Sequence, residues 1–169
     1  MELLERINSL SEQYSDEVIA SRRHLHQHPE LSYQEYNTAK YVANQLKQMG
    51  LQPKEGIAGT GVLVEISGQN PSSKSIALRA DMDALPIQEA NKVPYASKVP
   101  GVMHACGHDV HTSSLLGTAK ILHNVRDQFE GTVRLLFQPG EEKEPGGATL
   151  LLKEKVFEDP RPLGILGQH

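Results

Sequence analysis

The sequence predicts a layered α/β domain, with a central sheet and helices packed on its faces. Helical and strand patterns alternate along the chain, the rhythm of a layered α/β unit. Two apolar runs, 75–79 and 131–137, have the unbroken character of strands buried on both faces. Between them lie stretches whose apolar residues recur every three to four positions, as in amphipathic helices.

Taken in order, residues 3–28 read as helical in two pieces. Leu3, Leu4, Ile7 and Leu10 form one stripe; Val18, Ile19, Arg22, Leu25 and His26 form a second, starting at a Ser15-Asp16 cap. Pro29 ends the helix, because the residue before a proline is pushed out of the helical region. The next helix runs from about Gln34 to Met49 on Ala39, Val42, Ala43 and Leu46, with Gly50 as its terminal cap. His24, His26 and His28 alternate. On a helix such alternation points them in different directions, so they read as polar groups and not as one metal face.

Strand character begins with a short run at 51–53 and continues with Val62 to Ile66 after the turn at 59–61. The strand at 75–79 is read as central and leads into Asp81 and Asp83. Residues 87–102 form a polar loop. A helix from about Asp109 to His123 turns Val110, Leu115, Leu116, Ala119 and Leu122 to the core, and places Cys106 and His108 just before it or in its first turn. The strand 131–137 runs into Gln138-Pro139-Gly140-Glu141-Glu142. A helix over 149–155 and a strand over 163–167 follow, and His169 is the last residue.

Composition bounds the function classes. The chain has 169 residues, 38% hydrophobic and 22% charged, enough for one domain with a real core. Its 17 basic and 21 acidic residues are well mixed and give a net charge of −4, so no nucleic-acid or anionic-membrane partner is expected. No leader-like segment or membrane-length apolar run is present. A single cysteine rules out an intramolecular disulfide framework and fits the cytoplasm.

The chemistry concentrates at element ends. Residues 103–111 hold the only cysteine, three histidines and an aspartate. Such a donor set suits a transition metal, although a chance cluster on a surface loop has the same composition. Asp81 and Asp83 follow a buried strand, where open α/β sheets place ligands, or they merely cap a loop. Glu141 and Glu142 are either solvated charge or a working pair in which one binds metal and the other stays free as a general base. A thiolate bridging two cations would hold them about 3.5–4 Å apart, the spacing of two-metal hydrolases. In an open, largely parallel sheet these ends, with His169, would lie along one edge.

Four ordered runs carry a resemblance: 22–31, 79–86, 103–111 and 138–142. Together they resemble the N-acyl-amino-acid amidohydrolases of the hippurate hydrolase and auxin-conjugate hydrolase branch, within the dinuclear metallopeptidase superfamily that also holds aminoacylase. The resemblance implies a layered α/β/α zinc-peptidase-like catalytic domain and two divalent metal ions (Zn, Mn, Co or Ni). It implies Cys106, His108, Glu142 and His169 as metal ligands, Glu141 as general base, and Asp83 as the residue behind the site that orients a ligand. It gives the triple-histidine segment no ligand role. The implied activity is hydrolysis of the amide bond of small N-acyl amino acids or related conjugates.

Members of that branch are more than twice this length. They insert a lid and dimerisation domain after the histidine matching His169, then complete the catalytic domain with a further histidine ligand. Residues 1–169 are therefore expected to be the N-terminal portion of a catalytic domain, inactive alone, with a homodimer left open for the full-length protein. Two rival readings stay open: a cysteine hydrolase using Cys106, and a module that only binds metal.

Overall fold

The computed structural model describes residues 2–168. Helix α1 (Leu3–Gln27) and helix α2 (Tyr36–Gln48) precede an antiparallel pair, β1 (Lys54–Ile57) and β2 (Gly61–Ser67). Strand β3 (Ser75–Asp81), helix α3 (His108–Asn124), strand β4 (Thr132–Gln138), helix α4 (Gly147–Lys153) and strand β5 (Ile165–Gly167) follow. The five strands form one sheet in the order β1-β2-β4-β3-β5. The β1–β2 and β2–β4 pairs are antiparallel, while β4–β3 and β3–β5 are parallel. The sheet is therefore mixed, and its parallel half is the half that carries the polar strand ends.

Burial explains the run 131–137 but not the run 75–79, where β3 buries Ser75 and Ala77 while Ile76 is 40% exposed and Leu78 and Arg79 are half-buried. Every residue of β4 is buried. Val133, Leu135 and Phe137 face a core built with Val42 and Leu46 of α2 and Leu116 and Ala119 of α3. Leu136 points the other way, into a cluster with Leu63 and with Leu151 of α4. That is a helix–sheet–helix sandwich, in which a strand covered on both sides has no solvated face to make polar. β4 is the middle strand, and β3 lies between it and the edge strand β5.

Several expectations are corrected. Residues 3–27 form one continuous helix, not two. The Ser15 hydroxyl donates back to the Glu12 carbonyl at 2.8 Å and so does not cap a new helix. Further along α1, Val18 lies so close to Gly117 of α3 that a Cβ there would fall 2.6 Å from its Cγ2, so a glycine is what lets the two helices meet. Strand β1 begins at Lys54; Leu51 instead closes α2, its amide donating to the Leu46 carbonyl at 3.0 Å. Val110 is 43% exposed, because α3 turns its Leu115–Leu116–Ala119 face to the sheet. His24 and His28 do share a face: being four residues apart, their rings lie 4.6 Å from centre to centre, tilted by 36° to each other. Among the described residues no helix is long and apolar enough to cross a membrane.

Candidate metal centre

The register of the parallel strands delivers the polar ends to one edge. Asp81 pairs with Gln138 across β3–β4, and Arg79 pairs with Gly167 across β3–β5. The chain thus leaves β3 toward Asp83 and β4 toward Glu141 and Glu142 from the same edge, at which β5 also ends. His169 itself lies outside the described residues. The fourth contribution comes from the start of α3, which the Thr112 hydroxyl ties to the Asp81 carbonyl at 2.7 Å. Reciprocal backbone bonds between Leu85 and Met103, at 3.0 and 3.1 Å, close the intervening loop and bring the Cys-Gly-His segment beside Asp83.

One donor atom each from Cys106, His108 and Glu142 lies within 4.8 Å of the others. His108 is buried, and its Nδ1 donates to the Asp83 carbonyl oxygen at 2.8 Å, with the Asp83 carboxylate also close at 3.3 Å. This aims Nε2 at the site, where it meets carboxylate oxygens of Asp81, Glu142 and Glu141 at 3.6, 3.8 and 3.9 Å. Those gaps are too long for hydrogen bonds. The gap to Glu142 suits two donors that share a cation through bonds of about 2 Å each.

The electrostatics agree. Burial pushes the Cys106 thiol pKa up, and the hydrogen bond to Glu142 and the charges of Glu142, Glu141 and Asp81 push it the same way. Anionic groups gathered round a thiol raise its pKa until a cation neutralises them. The His108 pKa is raised: burial opposes this, but hydrogen bonding to Asp83 and the charges of Asp81 and Asp83 win. Burial would also raise Asp83, yet hydrogen bonds from His108, Ser32 and the amides of Glu142 and Glu141 hold its carboxyl at about 2. Asp83 is thus a fixed anion behind His108, not a proton carrier. The donor chemistry and spacing fit a divalent ion.

Two residues to which the resemblance assigns no metal-ligand role lie beside the centre. Asp81 and His111 join His108 in a second group whose donor atoms lie within 4.8 Å. The Asp81 carboxylate already takes His111 Nδ1 and Arg79, each at 2.6 Å. The triple-histidine segment also gains a partner, since His26 places its two ring nitrogens 2.8 Å from Asp109 and 3.1 Å from Glu89. With Arg22 Nε 2.8 Å from the same Asp109 oxygen, this buried cluster ties α1 to the residue after His108. His104 is buried with neither ring nitrogen hydrogen-bonded, and burial drives its pKa down to about 4.

A helix-flanked mixed sheet with thiol, imidazole and carboxylate donors meeting at its parallel strand ends defines a class: an α/β protein with a divalent-metal centre. Comparison with known proteins narrows it. The model for Peptidase family M20/M25/M40 matches residues 77–169, and the chain belongs to that family. It is 50% identical over 154 residues to the N-acyl-L-amino acid amidohydrolase of Geobacillus stearothermophilus, covering 91% of this chain and 41% of that protein. It is 49% identical over 159 residues to the IAA-amino acid hydrolase ILR1-like 5 of Arabidopsis thaliana, covering 94% of this chain and 35% of that one. Among solved structures, the Bacillus subtilis YXEP protein, described as a dinuclear metal binding peptidase from the M20 family, superposes with a TM-score of 0.87 at 44% identity. That match covers 94% of this chain and 43% of YXEP. The chain thus spans about two fifths of the length of the curated relatives it matches.

Proposed function

We propose that the full-length protein is a metal-dependent amidohydrolase that cleaves the amide bond of small N-acyl amino acids or related conjugates. The observation carrying this reading is the convergence of Cys106, His108 and Glu142, with Glu141 beside them on the same turn. Cys106, His108, Glu142 and His169 would hold two divalent ions, of the Zn, Mn, Co or Ni type, which supply Lewis-acid activation of water and stabilise the oxyanion. Glu141 accepts the proton of the attacking water and returns it to the departing amine. Asp83 fixes the ring of His108 from behind, as carboxylate and carbonyl partners do for metal-bound histidines.

These four ligands leave two ions short of donors even with a bridging thiolate, so residues 1–169 alone are expected to be inactive. On this reading residues 1–169 form the first part of a catalytic domain whose remainder, with a lid and dimerisation domain, lies in the full-length protein, and a homodimer stays open. The single cysteine favours a cytoplasmic setting. A cysteine-nucleophile mechanism is disfavoured because a reactive thiol needs electropositive surroundings, and carboxylates surround Cys106. In the full-length protein, Glu141→Gln should abolish turnover of N-acetyl amino acids and leave metal content intact. Retained turnover refutes the role of Glu141.

A further inference from the structure

Glu35 is completely buried, although it stands one residue before α2, where a carboxylate ordinarily caps a helix. It does not cap this one. Glu30 does, accepting the Asn37 and Thr38 amides at 3.2 and 2.8 Å. The Glu35 carboxylate points inward instead. Oε1 accepts the Gly140 N–H at 2.8 Å and the Tyr33 N–H at 2.9 Å, while Oε2 accepts the Thr60 hydroxyl at 2.6 Å. Gly140 immediately precedes Glu141. On the far side of Glu141, the Glu142 N–H donates to Asp83 Oδ2 at 2.9 Å. The Pro139–Gly140 peptide, one unit before Glu141, and the Glu141–Glu142 peptide just after it are therefore each held by a buried carboxylate.

Tyr33 completes the brace. Its hydroxyl donates to the Lys143 carbonyl at 2.7 Å and accepts the Gly146 N–H at 3.0 Å, bridging the turn from Gly140 to Gly146. Its ring lies directly against Gly140. Tyr33 itself adopts φ +65°, a conformation that tertiary contacts must enforce in a residue with a side chain.

We propose that Glu35 is a positioning residue for the Glu141 general base, fixing the turn through the Gly140 amide with Tyr33 as its brace. The inference rests on the reading of Glu141 given above. Glu35 lies outside the donor cluster and acts only through the backbone on which Glu141 sits. Its effect is nonetheless large, because a displacement of 1 Å at a reacting group costs roughly 100-fold in rate.

The test uses the full-length protein and three readouts: hydrogen exchange over residues 138–146, metal content, and kinetics on an N-acetyl amino acid. Glu35→Ala should speed exchange in that segment about tenfold, the worth of one hydrogen bond to a charged acceptor. It should lower kcat roughly 10- to 100-fold with KM and metal content nearly unchanged. Glu35→Gln should restore most of both effects, since its amide oxygen can accept from Gly140 and its NH2 can donate to Thr60. Unchanged exchange in Glu35→Ala, equal loosening of α3 and β4, or failure of the Gln variant to rescue would each overturn the proposal. Should Glu35→Ala not fold, Thr60→Val removes the hydroxyl that anchors Oε2. It must then raise exchange over 138–146 and lower kcat, and no change in either overturns the proposal. Glu141→Gln run in parallel separates the two readings. Turnover retained there, with the exchange effects intact, faults the base assignment; loss of turnover there with unaltered exchange in Glu35→Ala faults the brace.

Discussion

Gly140→Ala is the most informative single perturbation of stability, because two separate costs can be read from the structure. Gly140 has φ +55°, in the left-handed region, where a side chain costs about 1 kcal/mol. A Cβ there would also fall 2.1 Å from Cε1 of Tyr33 and 2.5 Å from its Cζ. The ring is not a free end that can swing aside, because its hydroxyl holds both Lys143 and Gly146. Displacing it gives up two hydrogen bonds of about 1 kcal/mol each. The sum is about 3 kcal/mol, or a fall of roughly 6–12 °C in Tm for a chain of this size. Gly101→Ala is the matched control, with φ +75° and no atom within 4 Å of its Cβ, so it carries the backbone cost alone. Thermal melts of both variants, followed by circular dichroism, give the difference. A gap of about 2 kcal/mol is expected; a gap under about 0.5 kcal/mol shows that Tyr33 is not locked over the turn.

Three further outcomes follow from the site. The Asp83 carboxyl, held at about 2 against an ordinary 3.8, contributes stability that is fully present above pH 4 and lost as pH falls from about 4 to 2. The contribution is about 2 kcal/mol, so acid titration of stability should show this loss in the native chain and lack it in Asp83→Asn. His26→Ala removes a side chain set between Asp109 and Glu89 and leaves two buried carboxylates short of a partner. Urea unfolding should report a loss of about 3 kcal/mol, and a loss under 1 kcal/mol would mean that Arg22 alone satisfies Asp109. Chelation of the full-length protein should silence hydrolysis and lower Tm, since an ion at 100 times its Kd stabilises by about 2.7 kcal/mol. Activity that survives EDTA would favour a thiol mechanism.

The sequence was a better guide to the centre of the sheet than to its surroundings. The run 131–137 was legible because a strand covered on both faces cannot carry a polar alternation, and the structure buries all of β4; the run 75–79 misled on this point, since Ile76 of β3 is 40% exposed. The donors at strand ends were legible for the same reason: each interrupts an apolar run with a group that can bond metal. Pairing direction was not legible, since β2 and β3 look alike as strings while one runs antiparallel and the other parallel to β4. The brace was hidden too. Glu35 reads as an ordinary carboxylate at a helix start, and only the return of the chain 105 residues later makes it a partner for Gly140. The spacing of His24 and His28 did hold the information that they share a face, but the alternation with His26 masked it. His26 turns inward to Asp109 and the other two turn out.

The central claim is that Cys106, His108 and Glu142 bind a divalent ion while Glu141 stays off it. Anomalous diffraction from crystals of the full-length protein grown with Mn or Zn tests this directly. The expected map places a metal peak about 2.0–2.3 Å from Cys106 Sγ, His108 Nε2 and a Glu142 oxygen, with the Glu141 carboxylate unligated. A peak bonded to Glu141, or no peak among the three donors, contradicts the account.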